Sequence, residues 1–129
     1  RHIKQKNKYV VNTIGKDELY HLISCANVLH CENPLKVEND WINDYDLKQG
    51  NYDITNVDKD IAEIIPSPID MGAVYQRLIR DTMSSKEDYV DGIIRVYNNE
   101  ICDVIDNYNC SAFYEPSYVI ARAYQNGGF

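Results

Sequence analysis

Apolar positions recur at helical spacing in four stretches of the chain, and they predict a mainly α fold. The strongest stripe reads Val90, Ile94, Tyr97, Ile101, Val104 and Tyr108, stepping by four and three, and it is widened by Ile93, Cys102 and Ile105. That stripe predicts one long helix over Lys86–Tyr108, broad enough on its apolar side to pack against two neighbours as the central helix of a small bundle. Ser85 and Asp88 stand at capping-box spacing at its start.

A second helix is predicted from Pro68 to Met83, with Ser67 as N-cap, Pro68 at the first helical position and Asp70 as the acid three residues on. Val74, Tyr75, Leu78, Ile79 and Thr82 form its buried side, and Arg77 and Arg80 lie near the other. An earlier helix runs from about Lys16 to Cys31, with Asp17 and Glu18 against the positive end of its dipole and Leu19, Leu22, Ile23, Ala26 and Leu29 on its apolar face. Asn33-Pro34 is read as its terminator, because a residue before proline is pushed out of the helical region.

Between residues 35 and 55 the helical period is lost. There the alternation of Tyr45-Asp46-Leu47-Lys48 and Asn51-Tyr52-Asp53-Ile54-Thr55 about Gln49-Gly50 suggests a short β-hairpin. A short helix over Lys59–Ile65, closed by Pro66 and Pro68, and a last helix from Ser117 to Tyr124 complete the reading, with Tyr9-Val10-Val11 as a short strand. The expected architecture is therefore a bundle of about four helices with a hairpin between the first and second long ones.

Charge divides the same chain in two. The 129 residues hold 13 Lys and Arg against 20 Asp and Glu, a net charge of −7. Residues 1–16 carry Arg1, Lys4, Lys6, Lys8 and Lys16 and no acid, so the arm is +5 and the other eight cations face all 20 acids, or −12. The expected organisation is a basic arm over 1–15 and one acidic helical domain over 16–129, with docking of the arm on its own acidic body the least demanding of its fates. Net acidity argues against duplex nucleic acid or an anionic membrane as partner and favours a basic protein. No apolar run approaches the roughly 20 residues of a membrane span.

Candidate chemistry is sparse. His21 and Cys25 share a helix face, but nothing near them builds an oxyanion hole. Cys25-x5-Cys31 and Cys102-x7-Cys110 lack the tight spacing of a zinc knuckle, so the four cysteines are read as reduced core thiols, with Cys25–Cys110 and Cys31–Cys102 disulfides the alternative in an exported chain. The EF-hand pattern fails at Gln49 and Thr55 when started from Asp44, and no phosphate-binding or hydrolase string occurs. No metal or cofactor is expected.

The acidic stretch from Lys36 to Glu63 carries the functional expectation, with eight acids against three lysines. Glu38, Asp40, Asp44, Asp46, Asp53, Asp58 and Asp60 steer a basic partner, and Trp41, Tyr45 and Tyr52 supply its anchors; the competing view is a solvated loop whose Trp41 folds into the core. A second acidic row, Glu100, Asp103 and Asp106, belongs to the wet side of the long helix. Together they suggest a small protein that blocks or masks a basic partner, in the manner of an immunity protein, antitoxin, inhibitor or nucleic-acid mimic. The alternatives are an enzyme or toxin built on His21, Arg77, Arg80 and scattered carboxylates, and an accessory domain of a larger protein. Richness in Asn, Ile, Lys, Asp and Tyr suggests an AT-rich genome such as that of a bacterium or its mobile elements. A cytoplasmic chain is expected, with processing left open by Arg1 at the first position.

Overall fold

The structure is a computed structural model that describes residues 1–26, 31–62 and 64–129. Its described α-helices are α1 (Asn7–Ile14), α2 (Lys16–Ser24), α3 (Pro34–Asp44), α4 (Pro68–Thr82), α5 (Tyr89–Tyr97), α6 (Ile101–Ile105) and α7 (Ser117–Asn126), with a 3-10 turn at Ala112–Tyr114. The chain is mainly α-helical, as the periodicity predicts. The described helices number seven rather than about four, and five of them have ten residues or fewer.

Capping chemistry explains most boundaries. In α4 the Ser67 hydroxyl accepts from the Asp70 amide at 3.1 Å and Pro68 opens the first turn. In α5 the N-cap is Asp88, three residues later than a start at Ser85 implies, and its carboxylate accepts from the Asp91 amide at 2.8 Å. Helix α7 ends at Gly127, whose φ of 84° supplies the left-handed C-terminal turn.

Three differences from the sequence reading have local causes. The predicted helix over 86–108 is two helices, because Asn98 and Asn99 turn their side chains onto the backbone between them. The Asn98 amide donates to the Ile94 carbonyl at 2.8 Å, and the Asn99 carbonyl accepts from the Ile101 amide at 2.9 Å. Asn33-Pro34 starts a helix: the Asn33 side chain accepts from the Leu35 amide at 2.9 Å, and α3 follows where no helical period was read; of the helix read over Lys16–Cys31, α2 covers Lys16–Ser24, and residues 27–30 lie outside the described residues. The Tyr9-Val10-Val11 patch is helical within α1, whose Val11 and Ile14 are buried. The predicted helix over Lys59–Ile65 includes Glu63, outside the described residues. On its described side Asp58–Ala62 forms a turn, with the Ala62 amide on the Asp58 carbonyl at 2.8 Å.

No strand occurs among the described residues, so the hairpin about Gln49-Gly50 is not formed. Asp46 takes a positive φ of 51° and sends the chain away from α3, so the two expected arms do not face each other. The second arm pairs with the N-terminal segment: the Gly50 amide donates to the Ile3 carbonyl at 2.7 Å and the Tyr52 amide to the Lys4 carbonyl at 2.9 Å. The backbone thus finds partners, but in a different segment from the one that alternation suggests.

Helix α5 lies between two core clusters. On its α4 side its own Val96 meets Tyr75, Leu78, Ile79, Ile101 and Ile105, and α7 closes that cluster with Ile120 and Ala123. Its other side meets Val11, Ile14 and Leu19 from α1 and α2, with Val90 at the centre. Ile93 and Tyr97 touch both clusters. Gly92 permits the close approach of α4, since a Cβ there would come within 2.8 Å of Ile79 Cγ2 and 3.1 Å of Glu87 Oε1. Arg95 ties the same region together: its guanidinium binds both Glu87 carboxylate oxygens at 2.8–3.1 Å, the Thr82 hydroxyl at 3.1 Å and the Tyr124 hydroxyl at 2.8 Å. One side chain so links the C-terminal turns of α4, α5 and α7.

Candidate functional site

The ten residues singled out in the acidic stretch divide into two groups. Helix α3 carries Glu38, Asp40, Trp41 and Asp44, with Tyr45 as its C-cap and Asp46 just beyond. Trp41 and Tyr45 turn inward, half-buried against the cluster of Val11, Ile14, Leu19 and Val90, and the Tyr45 hydroxyl donates to Glu18 at 3.1 Å. Asp40 pairs with Lys36 at 3.0 Å and Asp46 with Lys48 at 2.8 Å. Glu38 and Asp44 make no ion pair among the described residues.

The second group is the segment Tyr52–Asp60, and the basic arm docks on its beginning. Lys4 reaches Asp53 at 3.3 Å, and the Asp53 carboxyl is held below its usual range by the Thr55 hydroxyl and amide and then by Lys4. Lys6 lies 3.2 Å from Asp103 and 5.4 Å from the centre of the Tyr52 ring. Arg1 donates to the Pro66 carbonyl and, at 3.0 Å, to the Tyr108 hydroxyl, with its guanidinium over the Tyr108 ring. The arm thereby neutralises part of the acidic stretch. Asp58 and Asp60 are exposed and make no ion pair among the described residues.

Tertiary structure brings two clefts together at Tyr108 and Asn109, and both residues line both clefts. The apolar cleft, about 360 Å³, is walled by Ile61, Ala62, Ile64, Phe113 and Tyr114. Its neighbour, about 300 Å³, collects Asp53, Asp103 and Asp106 around Lys6 and Tyr52. The Asp58 amide donates to the Asn109 side chain at 2.8 Å and fixes the acidic turn on the wall between them. Glu38 and Tyr52 also share a third, smaller cleft with Arg1 and Tyr108, whereas Asp40, Asp44 and Asp46 line none of these three.

Asp106 departs furthest from expectation. The acidic row assigned to a wet helix face is broken by the turn after α6, which carries Asp106 inward to 8 % exposure. There it accepts from the Tyr75 hydroxyl at 2.6 Å. Burial lifts its carboxyl to about 6, against the opposing pull of the Tyr75 hydroxyl, and Asp103 adds to the rise. The Tyr75 hydroxyl is itself pushed far up by burial and by the neighbouring carboxylate.

The residues weighed for catalysis do not converge. His21 is exposed on α2 with its Nε2 4.0 Å from Cys25 Sγ, Arg77 is bound by Asp81 at 2.9 Å on its own helix, and neither His21 nor Arg80 lines the clefts described above. Cys25, Cys31, Cys102 and Cys110 are free thiols. Cys102 donates to the Val96 carbonyl at 3.1 Å and burial pushes its thiol up to about 12; Cys110 donates to the Val104 carbonyl at 3.3 Å. Among the described residues no helix is long and apolar enough to cross a membrane.

Ile61, Ile64 and Tyr114 were not recognisable in advance as surface residues. For Ile61 and Ile64 the one sequence signal was the run of apolar residues ahead of Pro66, which equally fits a short buried helix, and Tyr114 had none. Comparison with protein-family models, characterised proteins and solved structures finds no match to this chain.

Proposed function

We propose that this chain is a protein-binding domain that engages and masks a basic protein partner through its acidic face, in the manner of an inhibitor or immunity protein. The observation that carries the reading is the set of exposed acids in this stretch that no cation pairs among the described residues. Lys4, Lys36 and Lys48 take up Asp53, Asp40 and Asp46, while Glu38, Asp44, Asp58 and Asp60 make no ion pair among the described residues. Left in water they cost little, and they raise the encounter rate with a cationic partner.

The inward turn of Trp41 and Tyr45 gives the carboxylates a steering role and moves the anchoring role to other side chains. Large exposed apolar groups stand beside the acidic turn, with Ile61 at 62 % and Tyr114 at 61 % exposure.

The test is capture of source-cell proteins on the immobilised chain at low and moderate salt, beside a variant carrying Glu38→Gln, Asp44→Asn, Asp58→Asn and Asp60→Asn. A basic protein held at low salt, released at moderate salt and lost by the variant is the expected result. Capture that is indifferent to both salt and the four substitutions refutes the proposal.

A further inference from the structure

We infer that the apolar and acidic clefts on either side of Tyr108 and Asn109 form one two-part seat for a partner segment that presents a bulky apolar side chain next to a lysine or arginine. This rests on the reading of a basic protein partner and specifies what that partner must offer.

The apolar half is a cleft rather than a scatter of greasy side chains. Its volume of about 360 Å³ falls within the range of ligand clefts, about 300–1,000 Å³, and Ile61, Ile64 and Tyr114 around it are each at least half exposed. Phe113 forms its inner wall, with its ring centre 4.6 Å from that of Tyr114 and 5.4 Å from that of Tyr108. An apolar side chain entering here covers surface that the fold leaves in water, at about 25 cal/mol per Å².

Charge decides what must accompany it. Asp53, Asp103 and Asp106 meet in the adjoining cleft, and Asp58 and Asp60 stand on the turn that leads into Ile61. Lys6 already shows what that cleft accepts, since its ammonium sits on Asp103 with the Tyr52 ring beside it. The pair is exposed, 43 % for Lys6 and 63 % for Asp103, so such a contact is weak and exchangeable. A cation of the partner therefore takes its place without unfolding anything. A phosphate, a lipid headgroup or an acidic peptide meets the same carboxylates as repulsion.

The probe is the capped heptapeptide Gly-Lys-Gly-Trp-Gly-Lys-Gly, titrated into the ¹⁵N-labelled full chain. Controls have both lysines replaced by glutamine or the tryptophan replaced by glycine. Saturable amide shifts are expected at Ile61, Asn109, Tyr114 and Asn107, on both halves at once, and each control should bind at least about tenfold more weakly. Tyr114→Ser and Ile61→Ser, both at exposed positions, should abolish the shifts while the helical circular dichroism is unchanged. Lys6→Gln should tighten the lysine peptide and leave the glutamine control unaffected.

Shifts confined to other residues, equal affinity for the glutamine control, or no saturable binding into the millimolar range would each overturn the inference. If the Tyr114→Ser variant still captures the basic partner in the salt-dependent assay, the two-part seat is refuted and the broader proposal stands. Loss of capture along with peptide binding in that variant is the expected result; if the parent chain itself neither binds the peptide nor captures a basic protein, both fall.

Discussion

Replacing Asp106 with asparagine is expected to change the way stability depends on pH, by an amount that the structure sets. Asp106 is 8 % exposed and accepts from Tyr75 on α4; Asp103 on α6 adds a like charge, and Arg1 and Lys6 from the arm offset part of it. Burial raises its folded pKa from 3.8 to about 6, so the folded chain holds this proton more tightly than the unfolded chain does. Below pH 3.8 both states are protonated and the carboxyl costs nothing. Between 3.8 and 6 the unfolded state ionises first, and stability falls as pH rises; above 6 the cost is complete. Two pKa units at 1.36 kcal/mol each put it at about 3 kcal/mol.

Asparagine keeps an oxygen for the Tyr75 hydroxyl and has no proton to lose. The measurement is urea unfolding of both proteins from pH 4 to 7.5, followed by far-ultraviolet circular dichroism. The free-energy difference, variant minus parent, should rise by about 2.4 kcal/mol across that interval, since about 0.6 kcal/mol of the cost is already present at pH 4, with most of the change below pH 6.5. Carboxyls such as Asp53 and Asp88, held below their usual range, act with the opposite sign in both proteins and cancel in the difference. Parallel curves would show that Asp106 is solvated, and a difference that shrinks as pH rises would show that it is stabilised as an anion.

Other substitutions test the packing and the docked arm. Ile105, fully buried at 0 % exposure, should lose about 2–5 kcal/mol of stability on Ile105→Ala, read as a lower urea midpoint with an unchanged slope. Ser67→Ala removes the N-cap of α4 and should cost about 1 kcal/mol in the same assay. Gly92→Ala should destabilise despite the better helix propensity of alanine, worth about 1 kcal/mol, because the new methyl meets Ile79 and Glu87; a gain in melting temperature would show that α4 and α5 are farther apart than described. A Cβ at Gly50 collides with the Lys4 carbonyl and the Gln5 side chain, so Gly50→Ala should lift the arm and lower the hydrogen-exchange protection of the Tyr52 amide.

Local chemistry was enough to specify much of the secondary structure. Ser67-Pro68 marks the start of α4, because this signal acts within one helical turn and needs no distant partner. Of the predicted stripe Val90, Ile101 and Tyr108 are buried and Ile94 and Tyr97 half-buried, but Val104 is 42 % exposed, because the break after Tyr97 shifts the phase of the second half. Where two local signals compete, the sequence was ambiguous: Asn33-Pro34 reads as a helix end and in the structure caps the start of α3, and Asn98-Asn99 within a strong apolar stripe reads as helix until the side chains are seen on the backbone.

The surface was decided almost wholly by tertiary structure. Composition establishes that this chain is acidic with a basic beginning, but an acid on a helix has no known neighbour until the helices are packed. Packing sends Asp106 inward, seats Lys4 and Lys6 on Asp53 and Asp103, and folds Trp41 and Tyr45 toward the core. It likewise places the Ile61–Ile64 run against Phe113 and Tyr114, some 50 residues away in sequence, to make a cleft beside the carboxylates. Electrostatic and apolar contacts of this kind depend on distances of a few ångströms between residues far apart in the chain, which periodicity and spacing along the chain do not encode.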